Sequence, residues 1–223
     1  QFDDFEDDKI RQFNEYAAEK NLKFISEYNR KDDLRFIQGV GFDIKKAAVA
    51  IQSHMKWRRD TLPIQETPEI AAVVRDGIMY VHGRDHRFRP VMYVNAKKLD
   101  LKKHTIDNLI SGIVYILEFV KATMFLDGKV ENWIIVINFE GLSLTSVPYR
   151  ALKKVMGVLQ DNYRGRLGVM FMINVPSIFY TTWTFAKRWL DSHTVLKIKI
   201  LKGSYEEHIQ AVVHRNQLEA KYG

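Results

Sequence analysis

Two apolar runs constrain the fold more than any other feature of the chain. Residues 133–139 read Trp-Ile-Ile-Val-Ile-Asn-Phe, and residues 167–174 read Leu-Gly-Val-Met-Phe-Met-Ile-Asn. Short apolar runs that do not alternate with polar residues are typical of strands covered on both faces, and such strands belong to parallel sheets linked by helices. Residues 197–201 predict a third, shorter strand.

Helical periodicity and turn residues account for most of the remaining chain. We predict N-terminal helices over residues 5–29, 31–38 and 44–60, the last one capped by Asp43, a short helix over 69–74, long helices over 105–125 and 148–161, and a last helix from Ser204. Residues 78–82 and 90–95 predict a β-hairpin. The fold class is therefore α/β: a helical N-terminal subdomain over 1–62, then a mainly parallel sheet flanked by helices over 63–223.

The charge of the chain is uneven. The formal net charge is +7, and residues 150–202 hold ten lysines and arginines but, as acids, Asp161 and Asp191. A basic half of this kind favours an anionic partner: a nucleic acid, an anionic membrane or a phosphorylated ligand. A solvated basic face without a partner would have the same composition. No recognition helix or stacking platform for bases is evident, so we expect no nucleic-acid partner.

Several classes of protein are disfavoured by simple features. No apolar run reaches the roughly 18 residues that a membrane-spanning helix needs. The acidic first residues do not resemble a signal peptide, and the absence of cysteine fits a reducing compartment. The seven histidines are scattered and no pair of carboxylates flanks an obvious cleft, so we expect no metal, no catalytic residues and no enzyme activity.

The segment between the second and third strands is unusually aromatic. Residues 177–189 carry Phe179, Tyr180, Trp183, Phe185 and Trp189. This is more bulk than one face of a helix can bury, which predicts that something apolar covers the rest.

The motifs in their order along the chain resemble the Sec14-like (CRAL-TRIO) lipid-binding family. The resemblance rests on Asp33-Leu34-Arg35-Phe36-Ile37, Trp57-Arg58-Arg59, Gly83-Arg84-Asp85, Arg89-Pro90-Val91, Phe139-Glu140-Gly141, Ile173-Asn174-Val175-Pro176 and Leu190-Asp191. Phe88 stands where the family usually has glycine. No single piece is specific, but the ordered set covers residues 32 to 208.

The resemblance implies a hydrophobic pocket that holds one lipid-like molecule under a mobile gate helix, with bound lipid as the ligand and no cofactor. The aromatic segment matches the gate. On this basis the gate and pocket lining comprise Ile178, Phe179, Thr182, Trp183, Phe185, Ala186, Trp133, Ile135, Ile137 and Tyr93. Lys187 and Arg188 would then face an anionic membrane.

The resemblance also suggests headgroup residues. Phosphatidylinositol-transferring members have a Thr and a Lys after the gate, matched by Thr194 and Lys197, and an Arg matched by Arg166. Two other polar positions of that set are Gly165 and Val40 here, and the Ser and Thr that bind phosphatidylcholine in yeast-type members are Trp133 and Ile135. An ammonium and a hydroxyl would both donate to a phosphate.

The function that these expectations support is the binding of one phospholipid, such as phosphatidylinositol, and its transfer between membranes by a cytoplasmic, peripherally membrane-associated protein. One alternative is a carrier of a neutral, isoprenoid-like lipid. Another is a lipid-regulated interaction module in a signalling pathway.

Overall fold

The computed structural model describes residues 3–142, 149–177 and 179–223. It divides into two compact units. The first unit comprises residues 1–65 and 158–165, and the second comprises residues 66–157 and 166–223. The predicted division at residues 62 and 63 stays a prediction.

The first unit is helical. Its helices are α1 (Asp4–Glu19), α2 (Asp33–Gly39) and α3 (Ile44–Thr61). As predicted, Asp43 caps α3, and its carboxylate accepts a hydrogen bond from the Lys46 amide at 3.0 Å. The predicted extent of the first helix was wrong, because α1 ends at Glu19 and Asn21 takes a left-handed conformation with φ +48°.

The core of the first unit is closed by residues far apart in the sequence. Phe13, Ile37, Ala47 and Ile51 are fully or almost fully buried in one cluster. Residues 158–165 belong to the same unit, and His54 Nδ1 lies 3.0 Å from the amide oxygen of Asn162. The unit therefore depends on a segment that the chain reaches only after the third strand.

The second unit alternates strands and helices. In chain order its elements are α4 (Pro68–Arg75), β1 (Met79–Arg84), β2 (Pro90–Asn95), α5 (Ile106–Met124), β3 (Trp133–Asn138), α6 (Tyr149–Asn162, whose end lies in the first unit), β4 (Leu167–Ile173), α7 (Phe179–Ala186), α8 (Ser192–Leu196), β5 (Ile198–Ile200) and α9 (Glu206–Gln210). The last helix, predicted to begin near Ser204, is α9, which begins at Glu206, has five residues and is followed by short 3₁₀ turns.

The strands of the described residues form one sheet whose order follows the chain, β1-β2-β3-β4-β5. β1 pairs with β2 in antiparallel fashion, and the other neighbours are parallel. The predicted α/β class with a mainly parallel sheet is thus confirmed. Right-handed crossovers that always step in the same direction leave their helices on one face, so the opposite face needs another cover.

The C-terminal segment provides that cover. Ile209, Val213, Leu218 and Tyr222 are buried in one cluster with the sheet residues Val91, Tyr93, Ile134, Val136, Phe171 and Ile173. The Tyr222 ring stacks on the Tyr93 ring with centroids 4.9 Å apart, and the Tyr80 ring also stacks on Tyr93, at 5.5 Å. Burial raises the pKa of Tyr93, which keeps the stacked ring neutral.

We predict that the stacked ring, rather than the hydroxyl of Tyr222, stabilises the second unit. Tyr222→Ala should lower the free energy of unfolding by about 3–5 kcal/mol, as for other large buried rings. Tyr222→Phe is the matched control. It keeps the stacking and loses only a 3.5 Å contact with the Asn138 amide, so it should stay near the wild-type value. Urea denaturation measures both, and equal losses would contradict the prediction.

Candidate functional site

The sheet face opposite the C-terminal segment is apolar and incompletely covered. Strand register places on it a group of apolar side chains from β2 to β5: Met92, Ile135, Ile137, Met170, Met172, Ile198 and Ile200. Met92 is fully buried, whereas Ile137, Met170, Ile198 and Ile200 are only partly buried. Apolar side chains in the middle of a sheet that remain partly accessible indicate a place for an apolar ligand.

Helix α7 packs against this face through its aromatic residues. Phe179 is buried, and its ring centroid lies 4.9 Å from that of Phe139. Trp183 packs on the same cluster and remains partly exposed. Of the other predicted gate residues, Ala186 is buried, Ile178 lies outside the described residues, and the side chain of Thr182 is not described either.

The outer side of α7 combines an exposed aromatic ring with basic residues. Phe185 is 53% exposed, and the guanidinium of Arg188 lies 5.8 Å from the centre of its ring. Lys187 and Arg188 form the exposed 3₁₀ turn that follows α7, and Lys153 approaches the ring of Trp189 at 5.6 Å. Apolar bulk beside cations is the composition that an interfacial helix uses at an anionic membrane.

A cleft opens at the base of α7. It has a volume of about 410 Å³ and is lined by Asn174, Val175, Ser177, Tyr180, Leu201, Lys202 and Gly203. The ammonium group of Lys202 lies 4.5 Å from the centre of the Tyr180 ring. The cleft joins the carboxyl ends of β4 and β5, so it lies where α7 leaves the sheet. Sequence reasoning missed it, because its two walls are more than twenty residues apart.

The predicted headgroup residue Thr194 is part of a helix cap. Asp191 precedes α8, and its carboxylate accepts hydrogen bonds from the Thr194 amide at 2.8 Å and from the Thr194 hydroxyl at 2.7 Å. The hydroxyl proton is therefore directed to Asp191, while its oxygen lone pairs can still accept. The sequence analysis did not predict α8, which is only five residues long.

The predicted headgroup residue Arg166 is buried in contacts with the protein. Its guanidinium lies 3.5 Å from the carboxylate of Glu131, donates to the Glu131 carbonyl at 3.2 Å and lies 5.5 Å from the centre of the Phe125 ring. The side chain of Arg166 is only 9% exposed. Glu131 was missed in the sequence, because nothing in its neighbourhood marks it as the partner of Arg166.

The structure places the three predicted headgroup residues on two separate segments of the chain. Lys197 follows α8, and its carbonyl accepts a hydrogen bond from the Met170 amide. Arg166 precedes Met170 by four residues, which corresponds to on the order of 13 Å along a strand. Thr194 and Lys197 lie on one short segment, joined by a hydrogen bond from the Lys197 amide to the Thr194 carbonyl at 3.1 Å.

The remaining predicted pocket residues fall on different faces of the sheet. Trp133, Ile135 and Ile137 alternate along β3 and share the face that α7 covers. Tyr93 is opposite Val136 and belongs to the cluster under the C-terminal segment. Because adjacent strand positions point to opposite faces, Tyr93 is left out of the pocket proposed below.

The described part of the chain contains neither a metal-binding cluster nor a membrane-spanning helix. Within residues 3–142, 149–177 and 179–223, no three His, Cys, Asp or Glu side chains are grouped so that they could hold a metal ion. Among the helices of the same ranges, none has the length and apolar composition needed to cross a membrane.

Comparison with known proteins identifies the family. The model of the CRAL/TRIO domain matches residues 74–223. The chain belongs to the CRAL/TRIO domain family. The resemblance noted in the sequence is therefore confirmed.

Relatives and a solved structure agree with this assignment. The chain is 30% identical over 215 residues to the SEC14 cytosolic factor of Yarrowia lipolytica, covering 87% of this chain and 44% of that protein. It is 27% identical over 244 residues to the phosphatidylinositol/phosphatidylcholine transfer protein SFH4 of Arabidopsis thaliana, covering 95% and 40%. The chain thus spans less than half of either relative. The crystal structure of Sfh5 is similar in fold, with a TM-score of 0.72 at 15% identity over 95% of this chain and 85% of that one.

We predict that Glu131 stabilises the protein by compensating the charge of Arg166. Glu131→Gln removes the carboxylate from a guanidinium that water hardly reaches, which should cost about 1–3 kcal/mol in the free energy of unfolding. Glu27→Gln, at an exposed position, should change it by less than about 0.5 kcal/mol. Denaturation of the two variants side by side measures the difference, and a Glu131→Gln variant as stable as the control would rule the role out.

Proposed function

We propose that this CRAL/TRIO chain binds one phospholipid on the apolar sheet face beneath α7 and transfers it between membranes. One observation carries the proposal: Ile137, Met170, Ile198 and Ile200 remain partly accessible on a sheet face that an aromatic helix covers. The Arabidopsis relative is named as a phosphatidylinositol/phosphatidylcholine transfer protein, which supports the same class of ligand.

The energetics favour an apolar ligand at this face. Removal of apolar surface from water contributes roughly 25 cal/mol per Å², so acyl chains laid on these side chains would be stabilised together with the protein. In the closed arrangement, α7 would shield the chains from water through Phe179 and Trp183. In an open arrangement, the same residues would be exposed and would favour a membrane interface.

The proposed headgroup contacts are Lys197 with the phosphate and Thr194 with a hydroxyl of the headgroup. Both residues lie on one segment beside β5. An ammonium group donates to a phosphate, whereas the Thr194 oxygen, whose proton is directed to Asp191, can accept from a hydroxylated headgroup. Arg166 has a weaker claim than the sequence suggested, because its guanidinium already binds Glu131 and the Phe125 ring. A phosphate would have to compete with the Glu131 carboxylate.

Phosphatidylinositol is the ligand we propose first, and a neutral lipid is the outcome that would replace it. The family positions held here by Gly165 and Val40 lack the polar side chains of phosphatidylinositol-transferring members. In the first unit Val40 packs against the apolar core, so it offers nothing to a headgroup. A carrier of a neutral, isoprenoid-like lipid would not need either polar group.

In the proposed role the protein is not an enzyme and uses no cofactor other than its bound lipid. It would work in the cytoplasm and make transient contact with anionic membranes. Its role would be physical: to replace water around the lipid during transit. A lipid-regulated interaction module would keep its lipid and fail to move it between vesicles, so transfer distinguishes the two.

Identification of the bound lipid, followed by a transfer assay, tests this proposal. Mass spectrometry of the purified protein should find one phospholipid for each chain. Lys197→Met should then lower transfer of phosphatidylinositol between vesicles about tenfold, because a charged hydrogen bond to the phosphate is lost. Transfer of a neutral lipid should not change.

The chain offers a matched control for this assay. Lys199 lies two residues along the same segment and is exposed in β5, on the sheet face opposite α7. Lys199→Met should therefore transfer phosphatidylinositol like the wild type. Equal effects of the two variants would remove Lys197 from the headgroup site, and a protein that neither contains nor takes up lipid would sink the proposal as a whole.

We further predict that vesicle binding through the gate depends on salt. Lys187 and Arg188 should each contribute about 1 kcal/mol near an anionic surface, and salt screens this term. The double variant Lys187→Gln with Arg188→Gln should bind anionic vesicles more weakly at low salt and about as well as wild type at high salt. Sedimentation with vesicles at both salt concentrations measures this, and wild-type binding that ignores salt would contradict it.

A further inference from the structure

The loop between β1 and β2 holds a large aromatic side chain out in solvent. Phe88 is 68% exposed, and its backbone is left-handed, with φ +61°. A bulky residue in this region of φ is strained, and glycine is the residue that relieves such strain. Strain at an exposed position points to a function, since packing does not explain it.

The loop is rigid rather than loose. The carboxylate of Asp85 is only 1% exposed, and it accepts hydrogen bonds from the amides of Arg87 at 2.9 Å and Arg89 at 2.7 Å. The Arg89 guanidinium pairs with the same carboxylate at 2.6 Å. Phe88 is therefore presented by a fixed turn built around a buried, compensated charge.

A second exposed apolar side chain is held next to this loop. Nη1 of Arg84 donates to the carbonyl of Phe88 at 2.6 Å and to that of Met124 at 3.1 Å. Arg84 thus connects the loop to the C-terminal end of α5. The turn that follows α5 carries Leu126, which is 55% exposed. Leu126 is fixed there by paired backbone hydrogen bonds with Val130 at 2.9 and 2.7 Å.

Basic residues lie on the segments that carry or adjoin the two apolar side chains. The His86 amide donates to the Val212 carbonyl at 3.0 Å, and the rings of His86 and His214 lie 6.3 Å apart, so the segment that carries Arg215 also adjoins the loop. We define the hairpin-tip patch as His86, Arg87, Phe88, Leu126, Lys129, His214 and Arg215, all of them exposed. Asp127 is an exposed opposing charge in the same turn, whereas Asp85 is buried and Glu131 pairs with Arg166.

We propose that the hairpin-tip patch docks on an anionic membrane surface, with Phe88 and Leu126 inserted at the level of the headgroups. Aromatic side chains favour that level, and arginine and lysine around them favour anionic lipids. A protein partner fits less well, because stable protein interfaces bury about 800 Å² on each side around a core depleted in charge. The contact would add to the one proposed for α7 and does not require that lipid be carried in the pocket.

Phe88→Gly tests the proposal with little risk to the fold. Glycine suits the left-handed backbone and keeps the main-chain hydrogen bonds of the loop, so the melting temperature should stay equal or rise. Binding to vesicles of phosphatidylcholine and phosphatidylserine in equal parts should fall about tenfold, which is the loss expected for one partly inserted ring. The fall should persist at high salt, unlike that of a charge variant.

Matched controls make the result specific. Phe5→Ser removes another exposed ring, 52% accessible in α1 of the first unit, and should bind vesicles like the wild type. Arg87→Gln should bind about fivefold more weakly at low salt only. Native mass spectrometry should find the same lipid occupancy in Phe88→Gly as in wild type, so a failure of the pocket and a failure of this contact can be told apart.

Two results would overturn the proposal. One is undiminished vesicle binding of Phe88→Gly. The other is a drop that Phe5→Ser reproduces, which would reveal a general effect of apolar surface rather than a contact made by this patch.

Discussion

The parallel pairing of β2, β3, β4 and β5 is the constraint on which the rest of the second unit depends. Each strand of such a ladder satisfies its backbone groups through its neighbours and leaves apolar side chains on both faces. Because the strand order follows the chain, right-handed crossovers can cover only one of these faces. The two covers are consequently different in kind. One is a C-terminal segment sealed by stacked tyrosines, and the other is a helix whose underside stays partly accessible.

That asymmetry would let one sheet serve both as a stable core and as the proposed binding surface. Under the C-terminal segment, Val91, Tyr93, Ile134 and Val136 are fully buried. On the opposite face, Ile137 and Met170 remain accessible beneath α7, whose own apolar surface extends to the exposed Phe185. The buried face under the C-terminal segment stabilises the sheet, and the partly accessible face beneath α7 is the one on which we propose that the lipid binds.

The sequence predicted the elements whose signal is local. The unalternating runs gave β3 and β4, Asp43 gave the start of α3, and the fold class followed from the order of strands and helices. Features that depend on distant partners were not accessible in this way. Two of these features are contacts between residues far apart in the chain: the stacking of Tyr222 on Tyr93 and the ion pair of Glu131 with Arg166. A third is the division of α6 between the two units. The length of α1 was missed for a local reason, since a left-handed asparagine leaves little trace in a helical pattern.

The candidate site shows how a family motif and its physical role can separate. Thr194, Lys197 and Arg166 are all present. However, Arg166 forms an ion pair with Glu131 and lies over the Phe125 ring, and the Thr194 hydroxyl donates a hydrogen bond to Asp191. A buried guanidinium that already has a carboxylate gains little from a phosphate, because the exchange replaces one anionic partner by another. Lys197 follows α8 on the segment next to β5, where its carbonyl accepts a hydrogen bond from the Met170 amide. The contacts of Arg166 with Glu131 and Phe125 therefore weigh against Arg166 as the residue that would select an anionic headgroup.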